Sequence, residues 1–81
     1  MNKDQINNKI DELFLSSTSF DRADYNNETD LTNLADSLDL LYFMIQLEAE
    51  FSISISDEEF EKCKTIIDYQ NLVNTELAKK D

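Results

Sequence analysis

The sequence predicts an all-α fold of four helices, three longer and one short, with a long loop joining the first two. Three observations predict it. The 81 residues include no glycine and no proline, so the chain lacks the residues that build tight hairpin turns, and a hairpin-rich β fold is disfavoured. Apolar residues recur every three or four positions in separate segments, the period of a helix packed on one side. The stretches between those segments are rich in Ser, Thr, Asn and Asp, which supply caps and loops.

Length and charge narrow the function classes. A chain of 81 residues suits one domain, expected here over residues 1–81, with a small core. The formal net charge of -11 repels phosphates and anionic lipid surfaces, so neither nucleic acid nor a membrane is an expected partner. A basic patch on another protein is the natural complement. Hydrophobic residues make up 41% of the chain and cluster periodically, which argues for a folded domain over a disordered acidic tail; a monomer is the expected state. One cysteine excludes an internal disulfide. The polar start Met1-Asn2-Lys3-Asp4-Gln5 does not read as a signal peptide, and no apolar run reaches the length of a bilayer span. The cytoplasm is the expected location.

The first helix is predicted from residue 3 to about 15, where Ile6, Ile10, Leu13 and Phe14 form one stripe. Residues 16–36 lose the period and read as a loop, with Phe20, Tyr25, Leu31 and Leu34 as anchors onto the core. Residues 37–51 form the strongest helix. Asp36 is a good N-cap residue, and Asp39 puts a carboxylate in the positive first turn. Leu40, Met44, Leu47 and Phe51 line one side and Leu38, Leu41 and Ile45 an adjoining one. Together they span roughly 200° of the wheel, more than a surface helix needs. The expectation is a central helix with one row in the core and the other lining a groove or a neighbour. Asp39, Gln46 and Glu50 share the remaining side, flanked by Tyr42. Glu48 falls inside the apolar arc and is expected to reach solvent near the helix end.

Ser52-Ile53-Ser54-Ile55-Ser56 alternates like a strand. With no second good strand to pair with, it reads as an extended linker that buries one or both isoleucines. Ser56 or Asp57 then caps a short helix over residues 57–62. Thr65 can cap a last helix carrying Ile66, Tyr69, Leu72, Val73 and Leu77, with Lys79 and Lys80 at its negative end.

Three segments in register carry a resemblance. Ala35-Asp36-Ser37-Leu38-Asp39 is similar to the prosthetic-group attachment motif of the acyl carrier proteins. Leu47-Glu48-Ala49-Glu50-Phe51 resembles that family's close of helix two. Ile53-Ser54-Ile55-Ser56-Asp57-Glu58-Glu59 resembles the approach to its short third helix. The likeness runs from Ile6 to about Val73, and three motifs in register are far more specific than one. There are departures. Leu34 stands where the family usually has Gly, Ser56 replaces the usual Pro, and Tyr42 stands where fatty-acid carriers often have Glu. They point to a specialised carrier with dedicated partners.

The resemblance implies a four-helix carrier fold, which accounts for the long loop. It implies a 4′-phosphopantetheine arm on Ser37, donated by coenzyme A through a phosphopantetheinyl transferase, with Asp36 helping to hold the transferase's divalent metal. A serine at a helix start is exposed, and a phosphodiester there meets free N–H groups and the positive dipole end. The arm would carry acyl groups as thioesters between enzymes of fatty acid, polyketide or related biosynthesis. Partners would include an acyl ligase, ketosynthase or acyltransferase bearing basic patches. Asp36, Leu38, Asp39, Tyr42, Glu48 and Glu50 are the candidate partner-binding residues. Leu38, Leu41, Ile45, Ile55 and Cys63 are the candidate lining of an acyl groove.

Two rivals stand beside this reading: a stand-alone aminoacyl or peptidyl carrier, and an acidic interaction module without an arm. An enzyme is not expected, because the chain has no His and no base–nucleophile pair. Cys63 reads as a small buried hydrophobe, since no imidazole can activate it. Asp24, Asn26 and Glu28 hint at a calcium loop. Thr29 and Ala35 then occupy the positions where an EF-hand needs Gly and Glu, which excludes one. No metal site is expected.

Overall fold

A computed structural model describes residues 2–79. In chain order the helices are α1 (Lys3–Ser17), α2 (Leu31–Leu34), α3 (Ser37–Phe51), α4 (Asp57–Lys62) and α5 (Ile66–Lys79), with a 3-10 turn at Arg22–Asp24. The described residues form no strand. The four predicted helices are α1, α3, α4 and α5.

Each helix start is fixed by a polar side chain. Asn2 accepts the Gln5 N–H at 2.9 Å, and the Gln5 side chain accepts the Asn2 N–H at 3.0 Å. This reciprocal pair satisfies two donors at the start of α1. Ser56 and Glu59 make the same arrangement at α4, so Ser56 rather than Asp57 is the cap. Thr65 accepts the Asp68 N–H at 3.2 Å at the start of α5, as expected. Lys79 lies in the last turn of α5; Lys80 lies outside the described residues.

The segment read as a loop is more ordered than its sequence suggested. α2 is a single turn started by Asp30, which accepts the Thr32 N–H at 2.9 Å. The turn closes where the Ala35 N–H donates to the Leu31 carbonyl at 2.9 Å. Leu31 is fully buried beneath it. One turn with one buried residue leaves no periodicity to read. The segment is also stitched to the far end of the chain: the Leu31 N–H donates to the Lys64 carbonyl at 2.7 Å, and the Ile67 N–H to the Asn27 carbonyl at 3.2 Å. Phe20, Tyr25 and Leu34 pack against the core as the expected anchors.

The core joins α1, α3 and α5 through a row of rings. Phe14 meets Phe43 edge-on at 5.2 Å between centroids, and Phe43 meets Tyr69 edge-on at 4.9 Å, the arrangement that aromatic quadrupoles favour. Phe43 belongs to neither apolar row predicted for the central helix, yet it is fully buried at the centre of the molecule. Ile53 and Ile55 are both buried, so the linker between α3 and α4 pins two side chains. The turn into that linker is made by Ser52 in the left-handed region, at φ 53°. It is the only described residue with positive φ outside glycine. A chain without glycine has placed a residue with a Cβ where glycine is favoured.

Candidate functional site

Ser37 is the first residue of α3 and is exposed. Asp36 caps the helix, its carboxylate accepting the Asp39 N–H at 2.9 Å while its carbonyl accepts the Leu40 N–H at 3.2 Å. The N–H groups of Ser37 and Leu38 have no carbonyl one turn back within the helix. The Ser37 hydroxyl thus stands in solvent beside free backbone donors at the positive end of a 15-residue helix. These groups fit a phosphodiester ester-linked to Oγ. The flanking carboxylates of Asp36 and Asp39 oppose a further negative charge, so a covalent bond suits the site better than ionic capture.

Backbone geometry ahead of Ser37 explains how Leu34 is tolerated. Leu34 closes α2 in helical conformation, and Ala35 follows in extended conformation at φ -112° and ψ 152°. No residue here needs positive φ, so nothing at this turn requires glycine.

The structure divides the predicted site residues into two groups. Asp36, Ser37, Leu38 and Asp39 stand together at the start of α3. Leu38, Leu41, Tyr42 and Ile45 are all substantially exposed, Leu38 at 75%. They sit within roughly 100° of one another on the helix, opposite the buried row of Leu40, Phe43, Met44, Leu47 and Phe51. Of the two expectations for Leu38, Leu41 and Ile45, a groove or a neighbour, the acyl-groove lining is corrected: they stand outside the cleft beside Ser37 and form an outward apolar stripe. The reason is packing: α1 and α5 lie against the opposite side of α3, so of the two predicted rows only that of Leu40, Met44, Leu47 and Phe51 is enclosed. Ile55 is buried but lines no cleft beside Ser37.

Two acidic residues lie apart from the start of α3. Glu48 does not reach solvent freely as expected. It is half-buried and accepts the Ile55 N–H at 2.9 Å. The extended linker leaves that N–H without a helical partner, and the carboxylate supplies one. Glu50 pairs with Lys9 of α1 at 3.6 Å, near the end of α3 opposite Ser37.

A cleft of about 470 Å³ opens beside Ser37. Of the five predicted groove residues only Cys63 lines it; the rest of the wall is Thr32, Ala35, Leu40, Phe60, Glu61, Lys64 and Tyr69. The sequence signalled Tyr69 as an apolar helix position but gave Phe60 no role, and nothing in it brought α2, α4 and α5 to one side of Ser37. Cys63 is buried, and burial pushes its thiol up to about 11, with the Asp68 and Glu59 carboxylates adding to the effect. That suits a packing residue, not a nucleophile. Burial likewise raises the Tyr69 phenol well above its ordinary value, with Cys63 and Asp68 contributing.

A larger cleft of about 550 Å³ lies where the loop meets α1, lined by Asp11, Arg22, Tyr25, Asn26, Asn27, Glu28 and Ile67. It excludes Ser37 and every other predicted site residue. Asp11 is almost wholly buried there and is held by Arg22 at 3.3 Å. Among the described residues no group of three or more His, Cys, Asp or Glu side chains is placed to hold a metal ion, and no helix is long and apolar enough to cross a membrane.

Comparison with known proteins agrees with this geometry. Residues 8–69 match the family described as phosphopantetheine attachment site. The chain is 40% identical to an acyl carrier protein of Lactobacillus acidophilus over 70 residues, covering 84% of this chain and 88% of that protein. It is 34% identical to an acyl carrier protein of Petrotoga mobilis over 79 residues, covering 95% and 93%. With an acyl carrier protein of Thermosynechococcus vestitus it shares 46% identity over 44 residues, 54% of each chain. An all-helical fold and a family match across most of its length lead to one conclusion: the chain belongs to the acyl carrier protein family, whose members are carriers and not enzymes, and its cofactor is 4′-phosphopantetheine.

Proposed function

We propose that Ser37 carries the arm and that the chain, as one carrier domain over residues 1–81, delivers acyl intermediates of fatty acid, polyketide or related specialised biosynthesis to partner enzymes. The observation that carries this reading is the exposed Ser37 hydroxyl at the capped start of α3, within the matched attachment domain. The attaching transferase moves the whole 4′-phosphopantetheinyl group from coenzyme A to Ser37: a bond forms between Oγ and the pantetheine-side phosphorus, the pyrophosphate P–O bond breaks, the nucleotide half leaves with its phosphates, and the hydroxyl proton passes to a base of the transferase. Asp36 keeps one carboxylate oxygen on the Asp39 N–H and offers the other to the transferase's Mg²⁺, a hard cation suited to oxygen ligands. When bound, the arm supplies a thiol that holds acyl groups as thioesters.

Partner enzymes meet the apolar stripe of Leu38, Leu41, Tyr42 and Ile45, with Asp36 and Asp39 beside Ser37 steering basic patches toward it. Their classes are a phosphopantetheinyl transferase and then an acyl ligase, ketosynthase or acyltransferase. Glu48 and Glu50 have structural duties to Ile55 and Lys9, and their part in docking is secondary. The carrier acts as a monomer in the cytoplasm.

The test is the intact mass of native chain and Ser37→Ala after incubation with coenzyme A, Mg²⁺ and a broad-specificity transferase. A gain of one phosphopantetheine on the native chain alone is expected. A gain on both would move the attachment to another residue. No gain with any transferase would favour an interaction module that has lost the arm.

A further inference from the structure

One polar group in the cleft beside Ser37 has no use in the fold. Tyr69 lines the cleft and is 1% exposed, and its hydroxyl has no hydrogen-bond partner among the described residues. A buried phenol left unpaired is a standing cost, and phenylalanine would fill the same volume without it. No acceptor among the described residues pairs with the Tyr69 hydroxyl, although the Glu61 carboxylate also lines the cleft, and several acceptors nearby are engaged elsewhere. The Lys64 carbonyl takes the Leu31 N–H, the Asp68 carboxylate takes the Lys64 and Thr65 N–H groups, and the Asp30 carboxylate takes the Thr32 hydroxyl. Cys63, also in the lining, is a protonated thiol and a weak acceptor. Ala35, Leu40 and Phe60 supply the apolar wall. A mostly apolar cleft whose wall holds a buried, unspent donor suits an apolar chain that carries an oxygen.

We propose that this cleft receives acyl chains bearing a hydroxyl or carbonyl oxygen in preference to fully saturated ones, with the Tyr69 hydroxyl donating to that oxygen. The inference rests on Ser37 carrying the arm. The carrier would then hold oxygenated intermediates more firmly than reduced ones, and reactions that remove the oxygen would promote release of the chain from the cleft.

The experiment loads native chain and Tyr69→Phe with acyl-phosphopantetheine from coenzyme A thioesters of equal chain length: saturated, 3-hydroxy and 3-oxo. Intact mass, with Ser37→Ala as control, first establishes loading; failure at that step refutes the attachment reading itself. Melting temperatures of the loaded forms are then compared. In the native chain both oxygenated forms are expected to melt about 4 °C or more above the saturated form, as one added hydrogen bond in a domain of this size would give. In Tyr69→Phe the difference disappears. An equal difference in both proteins, or none in the native chain, overturns the proposal. So does an unloaded Tyr69→Phe that melts several degrees below the unloaded native chain, because the hydroxyl would then already be paired.

Discussion

The carboxylate of Glu48, inside the third helix, accepts the backbone N–H of Ile55 seven residues later at 2.9 Å. This bond ties the linker that buries Ile53 and Ile55 back to α3. Removing the acceptor leaves a part-buried N–H unpaired, which costs about 1–3 kcal/mol. Glu48→Ala should therefore lower unfolding stability by that order and expose the Ile55 amide to hydrogen exchange. Glu48→Gln keeps an acceptor and should lose much less. Equal loss in both variants, read by denaturant unfolding, would mean the charge and not the hydrogen bond matters.

Ser52 ends α3 at φ 53° and ψ 46°. A residue with a Cβ pays about 1–2 kcal/mol in this region, partly offset by the greater unfolded-state entropy of glycine. Ser52→Gly should raise stability by up to about 1 kcal/mol, measured as a higher urea midpoint with an unchanged slope.

Asp11 has its carboxyl raised by burial, with Arg22 opposing the shift. A raised carboxyl binds its proton more tightly in the folded state. Its contribution to stability is therefore present below the unfolded value and lost as pH rises through the folded one. Asp11→Asn keeps an acceptor for Arg22 but does not titrate. Between about pH 4 and pH 7, a window set by the ordinary aspartate range, the native melting temperature should fall relative to that of the variant. Asp30 and Glu59, whose shifts run the other way, are present in both proteins and cancel. Parallel melting curves across the range would rule out this role for Asp11.

The outward stripe on α3 makes a prediction about partners. Leu38→Glu and Ile45→Glu change exposed positions and should leave stability within about 0.5 kcal/mol. If partners dock there, each should lower the kcat/KM of the attaching transferase by about tenfold or more, the scale of losing one interface anchor. Thermal melts and initial rates of mass gain, run on the same preparations, separate docking from folding.

The helices were legible because each carries its own signal. Asp36 and Ser56 cap where the sequence placed caps, and the Ile6–Ile10–Leu13–Phe14 stripe is the one that α1 buries. The motif around Ser37 was legible for the same reason: a cap, a serine and a helix start are neighbours in the chain. α2 was not, since its single turn owes its stability to Leu31 reaching the core and to a bond with Lys64 far along the chain.

By itself, the sequence determined the helical class, the main helix starts and the exposed serine, because caps and periodicity are local and need no partner. Which apolar row of α3 faces inward was decided by tertiary structure. Leu38, Leu41 and Ile45 are as hydrophobic as Leu40, Met44 and Leu47, and only the side on which α1 and α5 pack separates outward stripe from core. The cleft beside Ser37 was decided in the same way. Thr32, Phe60, Cys63 and Tyr69 come from α2, α4, the α4–α5 junction and α5, and burial of a shared core, a property of the whole chain, brings them to one wall.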